Sequence, residues 1–296
     1  MLNLIFGANG QDGYYLSNLS KAKGIEPIGV SRSGNWVRGD VSSYEQVQHL
    51  IKQYQPSYVF HIAANSTTQH EALFENHETI STGTLNVLEA VWTHCPRAKV
   101  FIAGSGVQFE NRGAPISEDD PFDPSSPYSV ARIQSVYAAR YYRSLGLAVY
   151  VGYLFHHESP LRKPRHVSQK IALAARRIAE GSREIIELGD ISVEKEWTFA
   201  GDVARGIFTL VEQEQVFEAV IGSGVGYSIE SWLKQCFAVI GKDWTTHVQL
   251  REGFAAEYKH LVSNPRTIRS LGWSPTMGLR ELAATMVSSN SQHSLD

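Results

Sequence analysis

The sequence predicts an α/β fold, a doubly wound parallel sheet with a smaller C-terminal α/β cap. Three observations predict it. A short apolar run, Leu2 to Phe6, leads straight into a glycine-rich turn and then a helical pattern. Over the first half of the chain, apolar runs of strand length alternate with helical stretches, the order that builds a parallel sheet through right-handed crossovers. The C-terminal third mixes short strand-like and helical pieces, so it reads as a cap whose segments leave and rejoin the main sheet. Residues 1–160 are expected to form mainly the sheet domain and residues 161–296 mainly the cap, with residues 185–210 or so returning to the sheet.

The first element sets the chemistry. Gly7, Gly10 and Gly13 recur every third residue in Gly7-Ala8-Asn9-Gly10-Gln11-Asp12-Gly13, and Tyr14, Tyr15, Leu16 and Leu19 follow at helical spacing. Strand, glycine turn and helix in this order allow a tight turn, close backbone approach to a diphosphate and close packing of helix on strand, as a dinucleotide site requires. The second strand, Pro27 to Val30, ends in Ser31-Arg32-Ser33. An acid there would accept hydrogen bonds from the adenosine ribose, whereas Arg32 with Ser33 suits a 2′-phosphate, so NADP is preferred to NAD. Gly39-Asp40-Val41 reads as a strand end that offers Asp40 to an adenine amino group.

Val47 to Tyr54 reads as an amphipathic helix and Tyr58 to Ala64 as a buried strand, with Asn65-Ser66-Thr67-Thr68 at the strand end where ligands bind in such sheets. Thr84 to Val91 is a further helix and Val100 to Ala103 a further strand, which brings Ser105 to the same edge as the glycine turn. Its hydroxyl can hydrogen-bond a substrate hydroxyl or carbonyl. The next helix opens at Pro127, where a missing N–H is no loss, and sets Tyr128 and Arg132 one turn apart on one face. A fixed cation beside a phenol favours the phenolate and makes it a proton shuttle for an alcohol. Alone, such a pair is ordinary on a solvated helix. The glycine turn and Ser105 give it weight.

Leu147 to Leu154 reads as a strand, closed by Phe155-His156-His157-Glu158-Ser159-Pro160. The paired histidines are not read as metal ligands, because neighbours on an extended strand face opposite ways and no third ligand stands at suitable spacing. Arg162, Lys163, Arg165, His166 and Lys170 form a basic segment that suits a substrate diphosphate. Ile185 to Asp190 is strand-like, Glu196 to Asp202 is expected to open a helix, Ala219 to Gly222 is strand-like, Ile229 to Ile240 helical, and Ser288 to Asp296 polar and frayed.

Composition narrows the partners. With 296 residues, a net charge of −3 and no uncharged apolar run of membrane-span length, neither nucleic acid nor a membrane is expected. Cys95 and Cys236 stand far apart with no ligand spacing and read as small buried hydrophobes. The N-terminus carries no basic, apolar leader, so a cytoplasmic protein is expected.

Taken together these stretches resemble a family, the extended short-chain dehydrogenases that modify nucleotide sugars on a Rossmann-type core. Within it they are similar to the GDP-mannose 4,6-dehydratases and the compact GDP-4-keto-6-deoxy-mannose reductases. Gly7 to Leu16 resembles the family's glycine turn with its Gln11-Asp12 pair, Ser126-Pro127-Tyr128 with Ala131 its catalytic helix, and Leu154 to Pro160 its substrate loop. Val167 to Ile171, Leu188-Gly189 and Trp197 to Asp202 continue the match. The resemblance implies a GDP-sugar substrate, with Ser105 orienting the C4 oxygen and Tyr128 exchanging its proton. Arg132 stands where the family has a lysine that binds the nicotinamide ribose. Gln11, Asp12, Ala63, Ala64, Ser66 and Phe155 are implied along the cofactor, and Ser66, Val107, His156, His157, Glu158, Val167, Lys170 and Arg251 along the substrate. A homodimer through a four-helix interface that includes the Tyr128 helix is implied too.

Three positions depart from that pattern, and one loop does. Val107 stands where the dehydratases carry the glutamate that removes the C5 proton and assists loss of the C6 hydroxyl, which valine cannot do. His156 replaces an asparagine, and the loop after Arg32 is shorter than the one that helps dehydratases form a tetramer. Arg132 keeps a positive charge but gives up no proton. The expectation is therefore oxidation or reduction at C4. The alternatives are a dehydratase that recruits Glu110 or Glu158, or a homologue that binds without turnover.

Overall fold

In a computed structural model, which describes residues 1–289, the apolar run Leu2–Phe6 is an inner strand of a parallel sheet. The chain forms strands β1 (Leu2–Phe6), β2 (Glu26–Ser31), β3 (Val37–Arg38), β4 (Tyr58–His61), β5 (Lys99–Ser105), β6 (Val149–Leu154) and β7 (His157–Glu158). They are followed by β8 (Ile186–Leu188), β9 (Glu194–Glu196), β10 (Thr198–Phe199), β11 (Glu218–Ile221), β12 (Gly226–Ser228), β13 (Val248–Leu250) and β14 (His260–Leu261). The helices are α1 (Gln11–Ala22), α2 (Tyr44–Tyr54), α3 (Leu73–Asn76), α4 (Gly83–His94), α5 (Pro127–Ser144), α6 (Val167–Ala179), α7 (Ala200–Val211), α8 (Ile229–Val239), α9 (Arg266–Ser270) and α10 (Leu279–Ser288). The tail expected to fray lies, from residue 290 on, outside the described residues.

Seven strands pair in the order β11-β6-β5-β4-β1-β2-β3, all parallel. Alternation along each strand explains why both faces are covered. Leu4, Phe6, Val100, Ile102, Val149 and Val151 enter one apolar cluster with Val47, Leu50, Val87, Val91 and Val136 of α2, α4 and α5. Ile5, Phe101, Ala103 and Tyr150 point the other way, into a cluster with Leu16 of α1 and Val203, Ile207 and Phe208 of α7. A strand buried on both faces is apolar at nearly every position, which is why these runs stand out in the sequence. Strand order reverses between β1 and β4, and at such a switch point the loops beyond the strand ends part to leave a crevice.

A third cluster builds the cap from Ile171, Ala175, Ile186, Leu188, Trp197, Trp232, Leu233, Phe237, Leu282 and Met286. The indoles of Trp197 and Trp232 stack with centroids 4.7 Å apart. Residues 186–188 and 194–196 pair within small cap sheets, and the segments lying on or in the main sheet are α7 and β11. The helix expected from Glu196 begins instead at Ala200. Its first residues are claimed by strands, because the backbone of β9 pairs on one side with β12 and on the other with β14. Asp40 lies two residues beyond β3 rather than at its end, and β4 stops at His61, three residues short of Ala64.

Candidate active site

The ends of β1, β4, β5 and β6 open onto one cleft of about 1020 Å³. Its cofactor-sized half begins at the glycine turn. Gly7 has φ +97°, and a Cβ there would lie 2.6 Å from the backbone nitrogen of Ala63. Only glycine lets β1 turn this close to the end of β4. Gly13 does not line the cleft: its Cβ position is filled by the backbone of Ala8, 2.5 Å away, so it serves the close approach of α1 to the turn. Gly10 caps α1, and a Cβ there would meet nothing nearer than the Gly7 carbonyl at 3.5 Å. Open space thus stands in front of a helix N-terminus whose first N–H groups lack helical partners, a cradle that fits a dinucleotide diphosphate. Arg32, Ser33 and Asp40 line the outer end of the same half. The Arg32 guanidinium is exposed, 3.4 Å from Glu75, and the Ser33 hydroxyl accepts from Asn9. Asp40 accepts from the backbone and hydroxyl of Ser42.

Ser105, Val107, Tyr128 and Arg132 lie together on the floor, with Ala63, Ala64, Ser66 and Phe155 around them. Ser126 caps α5 by accepting from the Ser129 backbone, and Pro127 occupies its first turn, so Tyr128 enters the helix at a fixed angle. Arg132 is buried, 4 % exposed. Its guanidinium lies over the Tyr128 ring, 5.1 Å from the centroid, and donates to the Ala103 carbonyl. The cation is therefore tethered to the end of β5 as well as to the ring. Val107 packs with Ile80, Tyr128, Ala131 and Ala64 in a small apolar cluster, of which Val107, Tyr128 and Ala64 line the cleft.

The opposite wall is the loop after β6. Gln11 donates its amide to the His157 carbonyl at 3.1 Å and accepts from the Ser159 hydroxyl at 2.8 Å. Beside it, Nε2 of His157 lies 2.8 Å from Asp12 and Nδ1 lies 2.7 Å from the Phe155 carbonyl. Burial alone would push the His157 pKa down, but the charge and hydrogen bond of Asp12 outweigh it and hold it above the ordinary value. His156 turns away from His157 and meets the Tyr258 hydroxyl at 3.0 Å. Burial, with Lys195 and Arg162 nearby, keeps it well below the usual histidine range. Glu158, 1 % exposed, accepts from Ser168 at 2.6 Å and lies 3.4 Å from Arg162. Glu110, by contrast, stands outside the cleft in a surface pair with Arg112.

Cations dominate the cap side: Arg162, Lys163, Arg165, Arg176 and Lys195 all line the cleft, with Val167 at the start of α6. Lys195 is buried and was not foreseen, because a single lysine in a three-residue strand carries no periodic signal. Its pKa is lowered by burial, partly offset by Glu158, and its ammonium sits 4.7 Å from the centre of the Trp197 ring. Lys170 and Arg251, expected beside the substrate, do not line this cleft. They lie together in an adjoining cavity of about 310 Å³ that shares Arg165, Val167, Lys195, Glu257 and Tyr258 with the cleft wall. Lys170 is turned there because its ammonium donates to the Glu187 carbonyl. Among the described residues no three His, Cys, Asp or Glu side chains group as metal ligands, and no helix is long and apolar enough to cross a membrane.

The family model described as GDP-mannose 4,6 dehydratase matches residues 4–286. The chain belongs to this family. GDP-mannose 4,6 dehydratase 1 of Arabidopsis thaliana is 30 % identical over 96 % of this chain and 88 % of its own length. GDP-mannose 4,6-dehydratase of Vibrio cholerae is 27 % identical over 96 % and 92 %. Among solved structures, RMD from Pseudomonas aeruginosa complexed with NADPH superposes with a TM-score of 0.85 at 20 % identity, covering 97 % of this chain and 98 % of that one. The UDP-glucose 4-epimerase of Thermus thermophilus, complexed with NAD, gives 0.83 at 22 %, with the same coverage. These likenesses establish the Rossmann-type fold, and membership of the GDP-mannose 4,6 dehydratase family makes the chain a nucleotide-sugar enzyme.

Proposed function

We propose that the protein is an NADP-dependent oxidoreductase acting at C4 of a GDP-hexose, in the manner of a GDP-4-keto-6-deoxy-mannose reductase. The observation that carries this reading is the Val107 wall. Where dehydration needs a carboxylate, the cleft offers the apolar side chains of Val107 and Ala64, backed by the buried Ile80. Of the carboxylates that line the cleft, Asp12 and Glu158 are engaged by His157 and by Ser168 with Arg162, Asp40 stands at the outer end beyond β3 and Glu257 on the wall shared with the adjoining cavity, and Glu110 stands outside. In this reading the turn from Gly7 to Asp12 holds the diphosphate of the cofactor, with Arg32 and Ser33 at a 2′-phosphate and Ala63, Ala64, Ser66 and Phe155 beside the nicotinamide. A nicotinamide held there would supply the hydride chemistry at C4. Ser105 orients the C4 oxygen and the Tyr128 hydroxyl moves the proton at that atom. Arg132, tied to Ala103, fixes the ring of Tyr128 by stacking and keeps a permanent positive charge beside it. The cations Arg162, Arg165 and Lys195 neutralise the substrate diphosphate, with Lys170 and Arg251 toward the nucleoside. Residues 1–160 with α7 and β11 form the cofactor half, and the remaining cap residues the substrate half.

The relatives named as dehydratases favour the second reading, loss of water from GDP-mannose with a substitute acid and base. Incubation with GDP-mannose, and separately with its 4-keto-6-deoxy product plus NADPH, separates the two. NADPH consumption with the ketone and an unchanged GDP-mannose mass are expected; water loss from GDP-mannose overturns the reductase reading. Binding of both ligands without turnover of either would favour a non-catalytic homologue.

The same reading includes a homodimer. Leu85 and Trp92 on α4 and Tyr137 and Tyr141 on α5 expose apolar surface on two helices that pack side by side. Aromatic surface of this kind, spaced by one or two helical turns, suits an isologous four-helix contact. Light scattering at twice the monomer mass is the expected result.

A further inference from the structure

Both ring nitrogens of His157 face oxygens of groups that accept. Nδ1 is 2.7 Å from the Phe155 carbonyl oxygen and Nε2 is 2.8 Å from Oδ1 of Asp12. A neutral imidazole has one N–H and makes one of these bonds; an imidazolium makes both. Two further hydrogen bonds run alongside, from the Gln11 amide to the His157 carbonyl and from the Ser159 hydroxyl to Gln11. The first turn of α1 is thereby fastened to the loop that closes the other side of the cleft, although the two lie 146 residues apart in the chain.

We propose that His157, held as a cation between Asp12 and the Phe155 carbonyl, is a positioning residue that joins the glycine turn to the substrate loop, so that the two halves of the cleft bind their ligands as one coupled unit. The ligands named here rest on the reading above, a dinucleotide at the turn and a nucleoside diphosphate beyond the loop. The latch itself rests on the geometry alone.

The surrounding charges fix its pH range. Asp12, from α1, is the acid that faces the ring; Arg162, from the segment after β7, opposes its protonation, and Arg132, from α5, acts on Asp12. Because the His157 pKa is raised above 6.5, the latch is fully formed below that value and is released as pH rises through the higher, folded value. Burial pushes the Asp12 carboxyl up, but His157, Arg162 and Arg132 pull it below its ordinary 3.8, so on the acid side the pair survives to lower pH than that.

The test has two arms. In 15N-labelled protein without ligand at pH 6, both His157 nitrogens are expected at protonated shifts, and a neutral imidazole there overturns the proposal. In the second arm, NADPH is titrated by fluorescence with and without saturating GDP between pH 6 and pH 9.5. GDP is expected to tighten NADPH binding by about fivefold or more at the acid end, with the factor falling toward one as pH rises. His157→Gln should lower the factor to near one at every pH, while His157→Lys, which keeps a charge opposite Asp12, should restore it and flatten its pH dependence. Should the glutamine variant fail to fold, the lysine variant and the wild-type pH profile carry the test. Binding of both probes with a factor near one in the wild type, or one unchanged in His157→Gln, overturns the positioning role. Absence of NADPH or GDP binding overturns the ligand assignment instead, and the nitrogen shifts still decide whether His157 is the cation.

Discussion

Two of the three glycines in the turn make opposite predictions. In Gly7→Ala the new Cβ would lie 2.6 Å from the Ala63 nitrogen and 2.8 Å from its Cα, against backbone that cannot rotate away. The turn cannot easily retreat either, since the N–H groups of Gly7 and Ala8 both donate to the Val30 carbonyl. A side chain at positive φ costs about 1–2 kcal/mol, and forcing a methyl into filled space about 1–3 more, so a loss of roughly 2–5 kcal/mol is expected. In Gly10→Ala the methyl meets only the Gly7 carbonyl at 3.5 Å and projects into the cleft. Its cost to the fold should stay below about 1 kcal/mol, the difference between glycine and alanine at an N-cap. A dinucleotide diphosphate approaching the same surface should bind some 10–100-fold more weakly, equivalent to about 1–3 kcal/mol of overpacking. Urea unfolding at constant slope measures the first effect and NADPH titration the second. A Gly7→Ala protein within about 0.5 kcal/mol of the wild type, near the scatter of neutral substitutions, would refute the steric argument. A Gly10→Ala protein that binds NADPH normally would remove the diphosphate from this turn.

Other substitutions test the remaining parts. Val107→Glu should introduce water loss from GDP-mannose, at a rate about 10²–10⁴ above the wild-type background if the carboxylate acts as acid and base; folded variant protein with no such product would show that the apolar wall is not what withholds dehydration. Glu196→Ala should destabilise the cap by at least about 3 kcal/mol, because the backbone N–H groups of Ser223, Gly224 and Ser263 all donate to that buried carboxylate and each orphaned donor costs about 1–3 kcal/mol. A loss under about 1 kcal/mol in urea, the net value of a single hydrogen bond, would contradict that sum. Arg32→Ala should narrow any preference for NADPH over NADH by about 10–100-fold, the worth of a charged hydrogen bond; an unchanged ratio of dissociation constants would take Arg32 away from the 2′-phosphate.

The sheet was legible because its strands are buried on both faces. Leu2–Phe6 and Val149–Leu154 read as apolar runs, and the one polar residue within them, Asn3, is buried and donates to the Ser20 hydroxyl of α1. The floor of the cleft was legible through local spacing: four residues along one helix bring Arg132 to Tyr128 whatever the rest of the chain does. What spacing could not reveal is where a flexible cation goes next. The tether of Arg132 to Ala103, the turn of Lys170 toward Glu187 and the burial of Lys195 all depend on partners distant in the chain. The helix misplaced at Glu196 failed for a related reason. Residues Glu194–Glu196 have no strand signature of their own and become a strand because β12 and β14 flank them. Likewise Gln11 and Asp12 read as part of a cofactor turn, while their side chains are committed to residues 157 and 159.

The placement of β11 bears on how the molecule is made. It pairs with β6 as the outermost strand of the main sheet, yet it is contributed by residues 218–221, more than sixty positions after β6 ends. A nascent chain that has completed β6 therefore holds a long apolar edge with unpaired N–H and C=O groups until the cap helix α6, the small strands and α7 have emerged. At about 5–20 residues per second that interval lasts several seconds. Such an edge is a template for pairing with another chain. Ribosome stalling or premature termination between residues 154 and 218 is thus the point in synthesis at which this protein is most exposed to aggregation, and where a chaperone that shields strand edges has the most to do.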